Sequence, residues 1–202
     1  MRTAFFFDLD GTVTRQEILP LLSKEIGLYS EMQVFTDATI RGMIPFDSSF
    51  KLRCKILNEI PISRAKQLIS QVAVNETVVK FIRRHSDQCF IVTGNLDVWV
   101  STLLDQIGAY YFCSSAEHDC DRLIGVRHIL NKGSAVQEVK QRGNVERVVA
   151  IGDGMNDVDM FAQSDIRIAF GGVHEPVQTL IQMSDIVVYT EDALCRTLNT
   201  LL

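Results

Sequence analysis

The stretch Ala4-Phe5-Phe6-Phe7-Asp8-Leu9-Asp10-Gly11-Thr12-Val13-Thr14 decides how the rest of the chain is read. Four apolar residues followed at once by acids and a glycine describe a strand buried on both faces, the central kind in a parallel sheet. The strand stops where Gly11 loosens the backbone. In an extended chain the side chains at i and i+2 share a face, roughly 7 Å apart. Asp8 and Asp10 are therefore expected to point the same way at the carboxyl end of the strand. In open α/β sheets ligands bind at that end. Two like charges there repel each other unless a cation or a substrate offsets them.

Beyond Thr14 the pattern is helical. Ile18, Leu21, Leu22 and Ile26 form one apolar face, and Met32, Phe35, Thr36, Thr39 and Ile40 a second that stops around Gly42 and Pro45. Phe50, Cys54, Ile56 and Leu57 mark a third helix. Pro61 and Ser63 open a fourth that runs through Leu68, Ile69 and Val72. A helical block placed between a first strand and everything after it reads as an inserted cap over that strand's end. The expected organisation is a core of residues 1–13 and 76–202 with a cap of residues 14–75.

From Glu76 strands and helices alternate. Helices are expected at Val78–Arg84, Val98–Ile107, Lys132–Gln141, Val158–Ala162, Val177–Met183 and Asp192–Leu201. Between them lie apolar strands at Cys89–Val92, Tyr110–Cys113, Arg147–Ile151, Ile166–Ala169 and Ile186–Val188. Residues 114–131 read as irregular, with a small hairpin at Arg122–Ile129. Alternation of this kind predicts an α/β fold, a doubly wound parallel sheet with right-handed crossovers.

The totals bound what such a chain does. Its 202 residues suit one domain with an insertion, and 47% hydrophobic residues supply ample core. A net charge of −5 argues against nucleic acid or an anionic membrane as partner. A small anionic substrate stays open, because a metal and a few basic groups reverse the field locally. No run approaches the ~18 apolar residues of a membrane span. The first residues lack the zones of a signal peptide. The five cysteines, Cys54, Cys89, Cys113, Cys120 and Cys195, are odd in number and scattered, so no disulfide framework is implied and a cytoplasmic, reduced setting is expected. Cys113, His118 and Cys120 lack the paired Cys-x-x-Cys spacing that would argue for zinc.

Three apolar strands end in small or acidic residues: Asp8 and Asp10, then Thr93-Gly94, then Gly152-Asp153-Gly154-Met155-Asn156-Asp157. In a parallel sheet these ends share one edge. Several carboxylates there make a hard oxygen site suited to Mg²⁺. Asp157, four residues after Asp153, falls near the start of the next helix, where the dipole favours a carboxylate. Thr93 offers a hydroxyl and Gly94 an unencumbered N–H, both good phosphate donors. Lys132 opens a helix and can bring a positive charge to a phosphoryl group.

Asp8-Leu9-Asp10-Gly11-Thr12, Thr93-Gly94, Lys132 and Gly152-Asp153-Gly154-Met155-Asn156-Asp157, in that order, resemble the four motifs of the haloacid dehalogenase superfamily, in particular its phosphatase branch. The helical insertion after the first motif is similar to the cap of the phosphoserine phosphatase-like subgroup. The resemblance implies that Asp8 is a nucleophile forming an aspartyl-phosphate. Asp10 would protonate the leaving oxygen and later deprotonate water. It further implies Mg²⁺ as cofactor, held by Asp8, the Asp10 carbonyl and Asp153 with Asp157 in support. Thr93, Gly94, Lys132 and Asn156 would hold the phosphoryl group. Glu17 stands at the position that meets the substrate amine in that subgroup. Arg41 to Arg53 resembles its Gly-x-x-x-Phe-x-x-Ser-x-x-x-Arg pattern, so Phe46 would shield the site and Arg53 bind a carboxylate.

The expected partner is thus a small phosphorylated metabolite, with O-phosphoserine leading and another metabolite or sugar phosphate as the alternative. A phosphomutase keeps the same core. A non-catalytic phospho-acceptor of the receiver type also clusters Asp, Thr and Lys, but carries neither cap nor the Gly-Asp-Gly run. The chain departs from the subgroup at Gly11, where serine is frequent, at Asn95, where a second glycine is common, and in a shorter, divergent stretch at 114–131. These departures bear on the substrate rather than the chemistry. Oligomeric state is not legible in the sequence.

Overall fold

The computed structural model describes residues 2–143 and 145–202. The opening stretch forms β1 (Thr3–Phe7), every residue of which is buried. Phe5 and Phe7 enter the core on one face of the sheet and Phe6 enters on the other. Phe5 meets Phe81 edge-to-face at 5.4 Å, while Phe6 stacks on Phe90 at 5.0 Å. Burial of each such ring contributes roughly 1.5–3 kcal/mol, so this one strand ties both layers of helices to the sheet.

The chain then runs through four helices, α1 (Ile18–Ser23, prolonged by one tighter turn), α2 (Tyr29–Ile40), α3 (Phe46–Leu57) and α4 (Ile62–Ile69). It continues with α5 (Glu76–Arg84), β2 (Cys89–Leu96), α6 (Asp97–Ile107), β3 (Tyr110–Asp119), β4 (Arg122–His128), α7 (Lys132–Gln141) and β5 (Arg147–Gly152). The last elements are α8 (Val158–Ala162), β6 (Ile166–Phe170), α9 (Gln178–Met183), β7 (Ile186–Val188) and α10 (Glu191–Thr200). The sheet order is β4-β3-β2-β1-β5-β6-β7, parallel except for β3 and β4. Strands 2 and 3 lie to one side of β1 and strands 5 to 7 to the other. The order therefore reverses at β1, the crevice where an open α/β sheet binds its ligand. The doubly wound reading is correct.

Register brings the three motif ends together. Phe7 pairs with Ile91 of β2 and with Ile151 of β5, so Asp8, Thr93 and Asp153 follow on the same rim. The Asp8 N–H donates to the Ile151 carbonyl at 2.9 Å.

The helical insertion leaves and returns through one narrow neck. Thr14 bridges Val74, the Arg15 N–H donates to Ala73 O at 2.8 Å, and the Asn75 N–H donates to Val13 O at 2.9 Å. Asn75 Nδ2 adds a 2.7 Å bond to Thr12 O, sealing the neck with a buried amide. The apolar faces of α1 to α4 join the Phe5 side of the core, so the insertion does not build a separate one.

Two expectations need correction. The paired strand ends at Phe7, so Asp8 and Asp10 do not share a strand face. Residues 9–13 form a wide turn in which the Thr14 N–H donates to Leu9 O, five residues back, with Gly11 at φ +71°. Residues 114–131 are not irregular either. β3 continues to Asp119 and turns back through Cys120 and Asp121 into β4. Register shifts at Ser115–Ala116 and Glu117–His118 interrupt the alternation that would have revealed a strand. The hairpin tip is anchored to the insertion, since the Asp121 carboxylate accepts from the Ser63 N–H at 2.6 Å and from its hydroxyl at 2.7 Å.

Candidate active site

Asp8 stands at the end of β1 with 3% exposure. Its Oδ1 accepts from the Leu9 N–H at 2.7 Å and from Lys132 Nζ at 2.5 Å. Lys132 begins α7, whose preceding Asn131 caps it by accepting from the Ser134 N–H at 2.9 Å. That cap fixes where the lysine leaves the backbone. Lys132 Nζ also donates to Asp157 Oδ1 at 2.6 Å. Burial alone would lower the lysine pKa, but the carboxylates of Asp157 and Asp8 overcome it and raise it.

Asp157 Oδ2 accepts from the N–H groups of Asp153 and Gly154, at 3.0 and 3.1 Å. Both oxygens of Asp157 are thus occupied, and the residue shapes the 153–154 turn and orients Lys132. Asp153 presents the opposite case: its Oδ2 is buried with no hydrogen-bond partner. Carboxylate oxygens of Asp8, Asp153 and Asp157 lie within 4.8 Å of one another. Burial first, then neighbouring carboxylates, push Asp8 and Asp153 well above the ordinary carboxylate range. Burial, then the charge of Glu17, raises Asp10 to about 7. One lysine cannot balance this group of acids. An orphaned carboxylate oxygen in an all-oxygen setting fits a hard divalent cation.

Asp10 reaches the same space from the wide turn. Its Oδ1 accepts from the Ile18 N–H at 2.9 Å, the first residue of α1, and its Oδ2 accepts from Asn95 Nδ2. Asn95 also donates twice to Thr93 Oγ1, through its backbone N–H and its side-chain amide, both at 3.1 Å.

A cavity of about 50 Å³ opens between the sheet rim and the insertion. Asp8, Asp10, Gly94, Asp153 and Asn156 line it from below, and Glu17, Phe46 and Arg53 from above. Thr93, Lys132 and Asp157 stand behind this lining rather than in it; Lys132 lines a larger neighbouring cavity of about 400 Å³ on the far side of Phe46. A Cβ at position 94 would fall 2.3 Å from Phe46 Cζ, so only glycine lets that ring close over the strand end. Phe46 in turn stacks on Phe50 at 5.3 Å. Arg53 is 4% exposed; its Nη1 donates to Thr36 Oγ1 at 3.1 Å and its Nε to Ser49 O at 3.4 Å. Burial lowers its pKa, with the Glu17 charge opposing. Glu17 Oε1 accepts from His174 Nε2 at 3.1 Å, and that bond raises the histidine's pKa.

The candidate site residues thus surround one cavity: Asp8, Asp10, Gly94, Asp153 and Asn156 on the sheet rim, Glu17, Phe46 and Arg53 on the insertion, and Thr93, Lys132 and Asp157 behind the lining. Two residues not among those candidates, Asn95 and His174, join them. Asn95 adjoins the Thr-Gly pair and was legible as a polar residue at a strand end. His174 lies in the loop after β6, where no spacing flagged it. Cys113, His118 and Cys120 belong to neither of the two metal-like clusters found among the described residues. No helix among the described residues is long and apolar enough to cross a membrane.

The chain is similar in sequence and in fold to several known proteins. Phosphoserine phosphatase of Methanocaldococcus jannaschii is 27% identical over 175 residues, spanning 81% of this chain and 83% of the relative. The Archaeoglobus fulgidus phosphoserine phosphatase is also 27% identical, but the match spans only 51% of that longer protein. Among solved structures, a substrate-bound phosphoserine phosphatase complex superposes with a TM-score of 0.87 at 22% identity, covering 100% of this chain and 99% of the other. A phospho-aspartyl intermediate analogue of phosphoserine phosphatase gives 0.84 at 22% identity, covering 97% and 98%. At that identity the likeness is one of fold. The family model for haloacid dehalogenase-like hydrolases matches residues 5–162, and the chain belongs to that family.

Proposed function

We propose that this chain is a Mg²⁺-dependent phosphomonoester hydrolase working through an aspartyl-phosphate on Asp8, with O-phosphoserine as its leading substrate. The observation that carries this reading is a buried Asp8–Lys132 contact beside the unpartnered Asp153 oxygen, with Asp8 and Asp153 both lining one small cavity. In this reading residues 14–75 act as the cap and the remainder as the catalytic core.

The chain's own residues can carry both halves of the reaction. Asp8 attacks phosphorus while the ester P–O bond breaks, and Asp10 delivers its proton to the departing oxygen. Burial and the Glu17 charge raise the pKa of the Asp10 carboxyl, the direction a general acid needs. Asp10, now ionised, takes a proton from water as that water attacks the acyl phosphate, releasing phosphate and restoring the Asp8 carboxylate. The Asn95 amide and the Ile18 N–H hold Asp10 in place through both steps. Lys132, Thr93 and the Gly94 N–H would balance and orient the phosphoryl oxygens, with Asn156 beside them.

Asp8, Asp153 and the Asp10 carbonyl would hold the Mg²⁺, with Asp157 fixing the turn that carries Asp153. The ion would supply charge neutralisation between the phosphoryl group and the carboxylates. At the other end of the cavity Arg53 and Glu17 offer one positive and one negative group. That pair matches the carboxylate and ammonium of an amino acid, and the relatives named above are phosphoserine phosphatases.

The test is phosphate release with Mg²⁺ from O-phosphoserine and from a panel of sugar and metabolite phosphates. The reading expects turnover that EDTA abolishes, fastest on O-phosphoserine. A better rate on esters lacking the amino-acid group would reject the substrate, and no phosphate from any ester would reject the activity.

A further inference from the structure

We propose that His174 is a positioning residue for substrate selection: its Nε2–H holds the Glu17 carboxylate in the pose that receives the substrate ammonium. This rests on the reading of the cavity as a phosphomonoesterase site for an amine-bearing substrate.

The two residues are 157 positions apart in sequence, and their contact is 3.1 Å. An ionised carboxylate only accepts, so the Nε2 of His174 carries the proton that joins them. Glu17 lines the cavity and His174 does not, which means the histidine acts through the glutamate. With Oε1 held from behind, the carboxylate cannot rotate away from the pocket when no substrate is bound. Preorganisation of this kind lowers the cost of binding rather than adding a contact.

The loop that brings His174 here is fixed along its length. The Gly171 N–H donates to Val188 O at 2.8 Å at one end, and the Val177 N–H donates to Asp153 O at 3.1 Å at the other. Between them the Tyr189 hydroxyl donates to Glu175 Oε1 at 3.1 Å. Gly11 makes the space for the imidazole. A Cβ there would lie 3.2 Å from His174 Cδ2 and 2.6 Å from Asp153 Oδ2, and the backbone φ of +71° also disfavours any other residue. The glycine in the first motif and the histidine in the last loop are thus one arrangement. Glu17, Asp153 and His174 also lie close enough to resemble a metal site, and the His174 Nε2–Glu17 Oε1 contact joins two of its three members directly.

The experiment compares wild type, His174→Ala and His174→Gln on O-phosphoserine and on its des-amino analogue, the phosphate ester of 3-hydroxypropanoate, with Mg²⁺. Loss of one hydrogen bond to a charged group corresponds to on the order of a tenfold effect. His174→Ala should raise KM for O-phosphoserine about tenfold, with kcat within about twofold, and leave the des-amino ester unaffected. His174→Gln, whose amide nitrogen reproduces the Nε2–H donor, should restore the wild-type KM. His174→Asn, whose amide stops short of Glu17, replaces the alanine variant should that one not fold. Equal losses on both substrates, or no rescue by glutamine, would overturn the proposal. A wild type that hydrolyses both esters equally well overturns it too, while leaving the phosphatase reading intact. A wild type that hydrolyses neither ends both.

Discussion

Asp157 grips Lys132 with one carboxylate oxygen at 2.6 Å and the backbone of the Asp153–Gly154 turn with the other. One side chain thereby sets the position of the buried cation beside Asp8 and of the carboxylate left unpartnered at Asp153. Replacing Asp157 by Asn keeps the shape but puts an amide where two backbone N–H groups or an ammonium need an acceptor. Mg²⁺ affinity, measured calorimetrically, should fall about 10–100-fold, as for other residues that orient metal ligands. The unpaired donors should cost roughly 1–3 kcal/mol of stability in denaturant titrations. Unchanged Mg²⁺ affinity would show that the turn holds without it.

The acids make a sign-definite prediction about pH. Asp10 is raised to about 7, by burial and then Glu17, and Asp8 and Asp153 are raised as well. The folded metal-free chain therefore binds more protons than the unfolded one above the ordinary aspartate value of about 4. That contribution to stability is fully present below about pH 4 and is lost as pH rises through about 7 for Asp10. A cation offsets the exposed repulsion, so Mg²⁺ should raise Tm more at pH 8 than at pH 5. At a concentration one hundred times Kd the gain is about 2.7 kcal/mol, or roughly 5–10 °C for a chain of this size. Equal shifts at both pH values in a thermal melt would contradict the assignment.

Arg53 is buried within the insertion, on α3, held by Thr36 and Ser49 and lining the cavity. Arg53→Ala should raise KM about 10–100-fold for esters carrying a carboxylate, the range for charge-assisted hydrogen bonds. Phosphoethanolamine, which lacks the carboxylate, should be nearly unaffected. Arg53→Lys keeps the charge without the two-pronged donor and should recover only part of the loss. Steady-state kinetics on the two esters decides it, and a uniform loss would deny a selective role.

The fold was legible because β1, β2 and β5 are short apolar runs that change abruptly to acids, glycine or threonine, and a parallel sheet must place such ends on one edge. The helical block was legible from its period and from Pro45 and Pro61. What escaped was set by tertiary contact. The hairpin of β3 and β4 carries polar residues, and its register shifts break the alternation of buried and exposed positions. Asp10 reaches the cavity by a different local route from the one its spacing suggested, since a turn rather than an extended strand delivers it. His174 acts only through a partner 157 positions away, a relationship that no local periodicity encodes. Asn95 was visible as a departure from the motif, but its bridge between Thr93 and Asp10 required coordinates.

The claim that Asp8 accepts the phosphoryl group is tested most directly by acid-quenching the enzyme during turnover of O-phosphoserine with Mg²⁺ and mapping the modified peptide by mass spectrometry. The account predicts one phosphoryl group on the peptide containing Asp8, absent from Asp8→Asn, which should keep its melting transition while losing turnover. Phosphate release with the label on another residue, or substantial turnover by Asp8→Asn, would contradict it.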